Sequence, residues 1–424
     1  MNEFTEKIYE IEEWLIIEQV ASIEIYVLAF FLLMAFIVVI GSKKFRIPVV
    51  VGYICVGVLL SVDLINRLPF LSYEQKAWYS YVITNFRFIS DIALAFIAFT
   101  IGSELSFRMI KKMSKILFYI VPMTVFFVFS LVFLVLIGVG QPVYVALLLA
   151  AIACITAPAA TMMVLKEYNA EGPVTSTIIA VVGIGDAFAL VVFSIIRSNV
   201  LVNHPEFGFS GIGFILGPIV EILGAVVFGL LLGYFSQRYL AETEGKTRGI
   251  FILITTVVGG TAISLFLNFS PLITNMAVGF SYRNFARKNL GIAGYLETIT
   301  IPVYALFFIL AGTKIQFEMF TSTIFILTAI LYLVARILGK VCGTYLAARL
   351  AGASDNIRKF TGIALFSQSG VAIALAYIVR RELTTVPETG LFIFNLILLT
   401  SVLMEIFGPL AVKYAIFRAG ESRS

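Results

Sequence analysis

The amino-acid sequence predicts an all-α polytopic membrane protein. It has thirteen transmembrane helices, the N-terminus outside and the C-terminus inside, in inverted five-helix repeats with two broken crossing helices. Three observations carry this prediction. First, 60% of the 424 residues are hydrophobic and 13% charged, and the mean hydropathy is +1.02. A soluble chain is about a quarter charged, and a soluble core of this size cannot hide so much apolar surface. Second, Lys and Arg are distributed unevenly between the apolar stretches. Third, two of those stretches are interrupted near mid-depth at matching places. An ordinary soluble enzyme, a disordered chain and a nucleic-acid binder are excluded.

The N-terminal segment, residues 1–23, opens MNEFTEKIYEIEEW, where five of the first thirteen residues are Glu. A secretory signal needs positive charge there. Ile8, Ile11, Leu15 and Ile16 instead predict a short amphipathic surface segment. A bilayer core takes about 20 apolar residues per helix. On that measure the spans fall at 24–42, 47–62, 88–106, 116–138, 142–166, 175–198, 211–236, 249–267, 269–284, 293–315, 322–349, 358–381 and 388–417, followed by a short tail at 418–424. With the N-terminus outside, the inward loops hold twenty of the 30 Lys and Arg and the outward segments eight, while Arg336 and Lys340 lie inside the eleventh span. That bias fits the positive-inside rule. Few residues follow Tyr414, so no nucleotide-binding domain is expected in this chain.

Spans 2–6 and 9–13 are five helices each, and an offset of seven reverses their direction, as in inverted-repeat secondary transporters. Span 5 contains Thr156-Ala157-Pro158. Its counterpart, span 12, contains Ser367-Gln368-Ser369-Gly370. Irregular backbone at membrane depth is tolerated only inside protein or beside a watery cavity, so these residues are expected to line two facing breaks.

Ionisable residues inside the membrane are costly and mark function. Asp186, in VVGIGDAFALVVF, is the twelfth residue of its span. At about 1.5 Å per residue it lies near the middle of the bilayer. Burial and a neighbouring cation would act on its ionisation in opposite senses, and its oxygens suit a small hard cation. Arg336 and Lys340 are four apart, on one helix face, at depths that bracket Asp186. Lys can give up a proton and Arg cannot, so Lys340 is read as the partner that tunes the site. Arg336 is read as compensating broken-helix ends or a carboxylate such as Glu405. Glu104, Glu221 and Glu297 are further acids in or near spans. The single His204 falls in an outward loop. Cys55, Cys154 and Cys342 lack ligand spacing and read as small buried side chains. There is no P-loop, no potassium-filter motif and no arginine-periodic helix.

The stretch ITAPAATMMVLKEYNAEGPVTSTIIAVVGIGDAFALVVFS resembles the signature of the monovalent cation:proton antiporters, second subfamily, which includes bacterial Na⁺/H⁺ and K⁺/H⁺ exchangers. Their pattern is a Thr/Ser-x-Pro-Ala break, an inner loop ending Gly-Pro-x-Thr, then a central Asp. FRIPVVVGYICVGVLL, FIAFTIGSEL, PVYALFFILAGTKI, ARILGKVCGTYLAARLAG and LFSQSGVAIALAYIV match further spans of that family in order.

The resemblance implies the sodium/proton antiporter fold. It has a mobile core from 116–198 and 322–417, a homodimer-forming unit from 24–106 and 249–315, and a linker helix at 211–236. It also implies that Asp186 binds the ion and the proton, that Thr156 supplies a second oxygen, and that Lys340 is the family's span-11 lysine. No cofactor is expected beyond the transported Na⁺ or K⁺ and H⁺. The departure is Gly185, where relatives carry a first acid, Asn or Gln. One carboxylate alone makes exchange one-for-one and electroneutral, with Lys340 facing Asp186. The implied activity is cation/proton antiport in a cell (inner) membrane, Na⁺ favoured. K⁺/H⁺ antiport, or a cation channel on the same scaffold, is the alternative.

Overall fold

The computed structural model describes residues 24–42, 49–69, 71–106, 115–203, 213–242, 246–285, 292–368 and 370–422. The N-terminal segment 1–23, His204 and Ser369 lie outside the described residues. The helices, in chain order, are α1 (Glu24–Ser42), α2 (Val49–Leu59), α3 (Val62–Arg67), α4 (Tyr73–Asn85), α5 (Arg87–Glu104), α6 (Lys115–Gly138), α7 (Val143–Ala153), α8 (Pro158–Glu167), α9 (Pro173–Asn203), α10 (Gly213–Glu242), α11 (Lys246–Phe266), α12 (Pro271–Phe285), α13 (Ile292–Thr313), α14 (Thr323–Leu350), α15 (Asp355–Phe360), α16 (Gly370–Glu382) and α17 (Pro387–Ala419). Short 3₁₀ turns at Phe317–Thr321 and Ile363–Leu365 complete the set.

Among the described residues nine helices are long and apolar enough to cross a membrane, or ten if Asp355–Leu365 and Gly370–Glu382 form one bent span. The three remaining expected spans are the irregular ones. Span 142–166 is split into α7 and α8, of 11 and 10 residues. Span 269–284 is α12, only 15 residues long. Span 293–315 is α13, of which Thr300–Thr313, the part whose side chains are described, is apolar but short. Helix α4 was not expected, because Glu74 and Lys76 dilute its hydropathy. Its start was nonetheless written in the sequence. Ser72 accepts from the Gln75 N–H at 3.2 Å, and the Gln75 side chain accepts from the Ser72 N–H at 3.0 Å, a reciprocal capping box.

The chain forms two compact units. One comprises Met1–Ala93 and Ile301–Gln316, the other Leu94–Thr300 and Phe317–Ser424. Within the first, α2 and α13 meet where Gly57 and Gly312 face each other without side chains. Within the second, α14 runs along α6, where the Thr124 and Thr344 hydroxyls are 3.0 Å apart. A core of Val164, Ile178, Ala347, Leu365 and Val412 joins α8, α9, α14 and α17.

Both expected breaks exist. After α7 the backbone unwinds over 155–157. Pro158 cannot donate an amide hydrogen bond and forces its predecessor out of the helical region, and Ala157 is extended, with φ −99° and ψ 102°. The second break separates the 3₁₀ turn Ile363–Leu365 from α16. The breaks touch: the Ala157 N–H donates to the Ser367 carbonyl at 3.1 Å. One expectation is corrected here. Cys154 is buried, but Cys55 and Cys342 are exposed. In a membrane protein an apolar residue facing outward meets lipid and needs no burial in protein.

Candidate functional site

The site is built entirely within the second unit. Asp186 lies on α9, 2% exposed. Its Oδ1 accepts the Thr156 backbone N–H at 2.7 Å, a donor freed because the break leaves that amide outside any helix. Its Oδ2 is buried without a hydrogen-bond partner among the described residues. A buried polar atom left in this way is costly and marks a place for a ligand.

Lys340, 2% exposed, donates through Nζ to the Cys154 carbonyl at 2.7 Å and to Thr156 Oγ1 at 2.8 Å. Thr156 therefore stands between the two charged groups, its amide on Asp186 and its hydroxyl oxygen on Lys340. This corrects the expectation that Lys340 faces Asp186 directly. Among the described residues the two form no ion pair, because the unwound carbonyl of Cys154 and the Thr156 hydroxyl lie closer to the ammonium.

Arg336, fully buried, binds four backbone carbonyls. Nε donates to Ala153 at 3.1 Å, one terminal nitrogen to Phe366 at 2.6 Å, and the other to Ile155 at 2.8 Å and Ser367 at 3.1 Å. Two acceptors belong to the end of α7 and two to the end of the 3₁₀ turn, where carbonyls lack helical partners. The guanidinium fork, with five donors, staples the two breaks together. The second expected pairing, of Arg336 with Glu405, is not formed, since all three guanidinium nitrogens are already committed to carbonyls.

The remaining expected residues lie on the second break. Gln368 donates through Nε2 to the Tyr332 hydroxyl at 3.1 Å, while its Oε1 and the Ser367 Oγ are buried without partners among the described residues. Gly370 opens α16 and Pro158 opens α8. Tyr332 was missed from sequence, although 332, 336 and 340 are spaced four apart and share a face. Gly408 on α17 makes room for this break: a Cβ there would lie 2.1 Å from Ser367 Oγ. Gly408→Ala is expected to lower the thermal midpoint by several degrees, which a scanning unfolding measurement checks; an unchanged midpoint would show that Ser367 can step aside.

Two further polar clusters stand apart from this site. Arg197, near the other end of α9, pairs with Glu382 at 2.5 Å and Glu221 at 3.0 Å, and the Ser198 hydroxyl donates to Glu221 at 2.6 Å. Glu421, in the tail, receives the Val174 and Thr175 amides at 2.8 and 2.7 Å and the Thr175 hydroxyl at 2.8 Å. It fills the start of α9, and a Cβ on Gly172 would meet its carboxyl group. The Gly-Pro-x-Thr motif is thus a carboxylate cradle. The side chain of Glu297 lies outside the described residues. Among the described residues no cluster of three or more His, Cys, Asp or Glu could hold a resident metal.

The fold is thus a multi-pass helical membrane fold with a buried carboxylate beside two linked helix breaks. Residues 29–413 match the family model described as Sodium/hydrogen exchanger, transmembrane, and the chain belongs to that family. The Na⁺/H⁺ antiporter NhaS4 of Synechocystis sp. is 23% identical over 401 residues, covering 87% of this chain and 92% of the relative. The Na⁺/H⁺ antiporter NhaP of Pseudomonas aeruginosa is 29% identical over 142 residues, about a third of each chain. In fold the chain is similar to the sodium proton antiporter MjNhaP1 of Methanocaldococcus jannaschii, with TM-score 0.71, 18% identity, and coverage of 94% of this chain and 99% of that one.

Proposed function

We propose that this chain exchanges a monovalent cation, Na⁺ before K⁺, for H⁺ across a cell membrane, in bacteria the inner membrane. The observation that carries the reading is Asp186: a buried carboxylate with one oxygen held by Thr156 and the other free of protein partners. Such an oxygen takes either a proton or a cation, not both, and that exclusion is the coupling. The antiporter names of the relatives support the same activity.

Around this site we place thirteen spans with the N-terminus outside, paired as inverted repeats. The core at 116–198 and 322–417 moves as an elevator against 24–106 and 249–315, through the linker helix 211–236, in a homodimer. Lys340 competes with the cation at Thr156 Oγ1 rather than at Asp186, because that oxygen already receives the ammonium. With no acid at Gly185, one carboxylate serves each cycle and exchange is electroneutral.

The test is purified protein in liposomes with an internal pH dye, given Na⁺, K⁺ or Li⁺ with the membrane potential clamped and then free. A cation-specific pH change indifferent to the clamp supports the reading. A cation current without pH change would replace it with a channel. Lys340→Gln is expected to shift the pH profile of exchange while keeping transport, since the lysine tunes Thr156 without carrying the cargo. Complete loss of flux in folded Lys340→Gln protein would instead give that lysine a required proton.

A further inference from the structure

Glu405 is a buried acid that this mechanism does not use. It lies near the middle of α17 and is 5% exposed. Among the described residues it has no ion-pair or hydrogen-bond partner. Burying a lone carboxylate anion costs far more than burying the neutral acid, unless a counter-ion or hydrogen bonds compensate.

Its surroundings offer hydroxyls. Ser401, one turn earlier on the same face, is fully buried and its Oγ has no partner among the described residues. One turn later, Gly408 admits Ser367, whose Oγ is likewise buried without a partner. Charged groups on the elements packed against α17 are engaged elsewhere. Arg336 is bound to carbonyls, Lys340 to Cys154 and Thr156, Asp186 to Thr156, Arg197 to Glu221 and Glu382, and Arg358 and Lys359 to Asp355. Arg380 lies over Phe394, and Lys413 of α17 itself over Tyr168. Arg349, Lys166 and Glu167 lie at the ends of α14 and α8.

We propose that Glu405 is a second proton-binding site of this protein, separate from Asp186, and that on losing its proton it draws the Ser401 and Ser367 hydroxyls, which have no partner beside the neutral acid, into hydrogen bonds. Ser367 gives the site its reach. Its carbonyl receives both Ala157 and Arg336, so ionisation of Glu405 disturbs the break that adjoins Thr156. Exchange through Asp186 then depends on pH through a group that never touches the cation.

The inference rests on the antiport reading for its consequence but not for its chemistry, and the experiment separates the two. Full-length Asp186→Asn protein in liposomes, in which the transport acid is absent, is stepped from low to high pH under infrared difference spectroscopy. A protonated-carboxyl band should vanish on the step and be missing from Asp186→Asn/Glu405→Gln. Identical spectra from the two proteins overturn the proposal. A hydrophobic carbodiimide, which adds to protonated carboxyls in apolar surroundings, gives a mutant-free readout in the wild-type chain. Mass spectrometry should find the adduct on Glu405 at low pH and less of it as pH rises, and no adduct at any pH overturns the proposal. In the otherwise wild-type chain, Glu405→Gln should move the half-maximal pH of exchange by about one unit, and an unmoved profile counts against it.

Discussion

Asp186→Asn is expected to abolish cation-driven proton movement in liposomes while leaving the protein folded. Asn has the same shape, and its amide oxygen can still accept the Thr156 N–H that now reaches Oδ1 at 2.7 Å. What it loses is the second oxygen's ability to carry either a proton or a cation, the one property the site contributes to coupling. Replacing a partnerless buried carboxylate oxygen with an amide also relieves the cost of burying charge, so thermal stability should hold or rise. The measurement is dye-reported pH change on adding Na⁺, beside an unfolding scan of the same preparation. Cation-specific flux above that of empty liposomes would remove Asp186 from the site.

Arg336→Met should have the second large effect, on the fold rather than on the ion. Methionine fills much of the same space without a donor and abandons the buried carbonyls of Ala153, Ile155 and Phe366, while that of Ser367 keeps only the Ala157 N–H. Each buried acceptor left unmet costs about 1–3 kcal/mol, against a total stability of about 5–15 kcal/mol for a typical domain. The expected result is a sharp loss of folded yield and of thermal midpoint. Arg336→Lys should rescue only part of it, since an ammonium brings three donors to four acceptors and lacks the planar fork. A Met variant as stable as the wild type would show that the breaks do not need the staple.

The fold was legible where hydropathy is a sufficient signal. Long uninterrupted helices such as α6, α14 and α17 fall within about two residues of their expected bounds, because lipid leaves the backbone no alternative to a helix. Both breaks were legible because Pro158 and the Ser367–Gly370 run disrupt apolar stretches. Partner choice was not. Depth along a helix set Asp186 between Arg336 and Lys340 and put Glu405 mid-span as a partner for Arg336, but depth says nothing of azimuth or of unwound carbonyls. Cys154 and Thr156 outcompeted the carboxylate for Lys340 through a backbone carbonyl and a side-chain hydroxyl that come within its reach only once α7 has ended. The Glu421 cradle joins residues some 250 positions apart in sequence, and its only local sign was the Gly-Pro-x-Thr motif. Helix α4 was hidden by two charges, although Ser72 and Gln75 announced its start.

Because the Thr156 amide already draws on one oxygen of Asp186, a passing ion meets a single carboxylate atom free of protein partners among the described residues. A two-pronged clasp would hold its passenger longer and pick more finely among ions of different radius. A single prong trades both for a short dwell time. On the proposed antiport reading, the chain then suits brisk traffic of a plentiful cation better than capture of a scarce one.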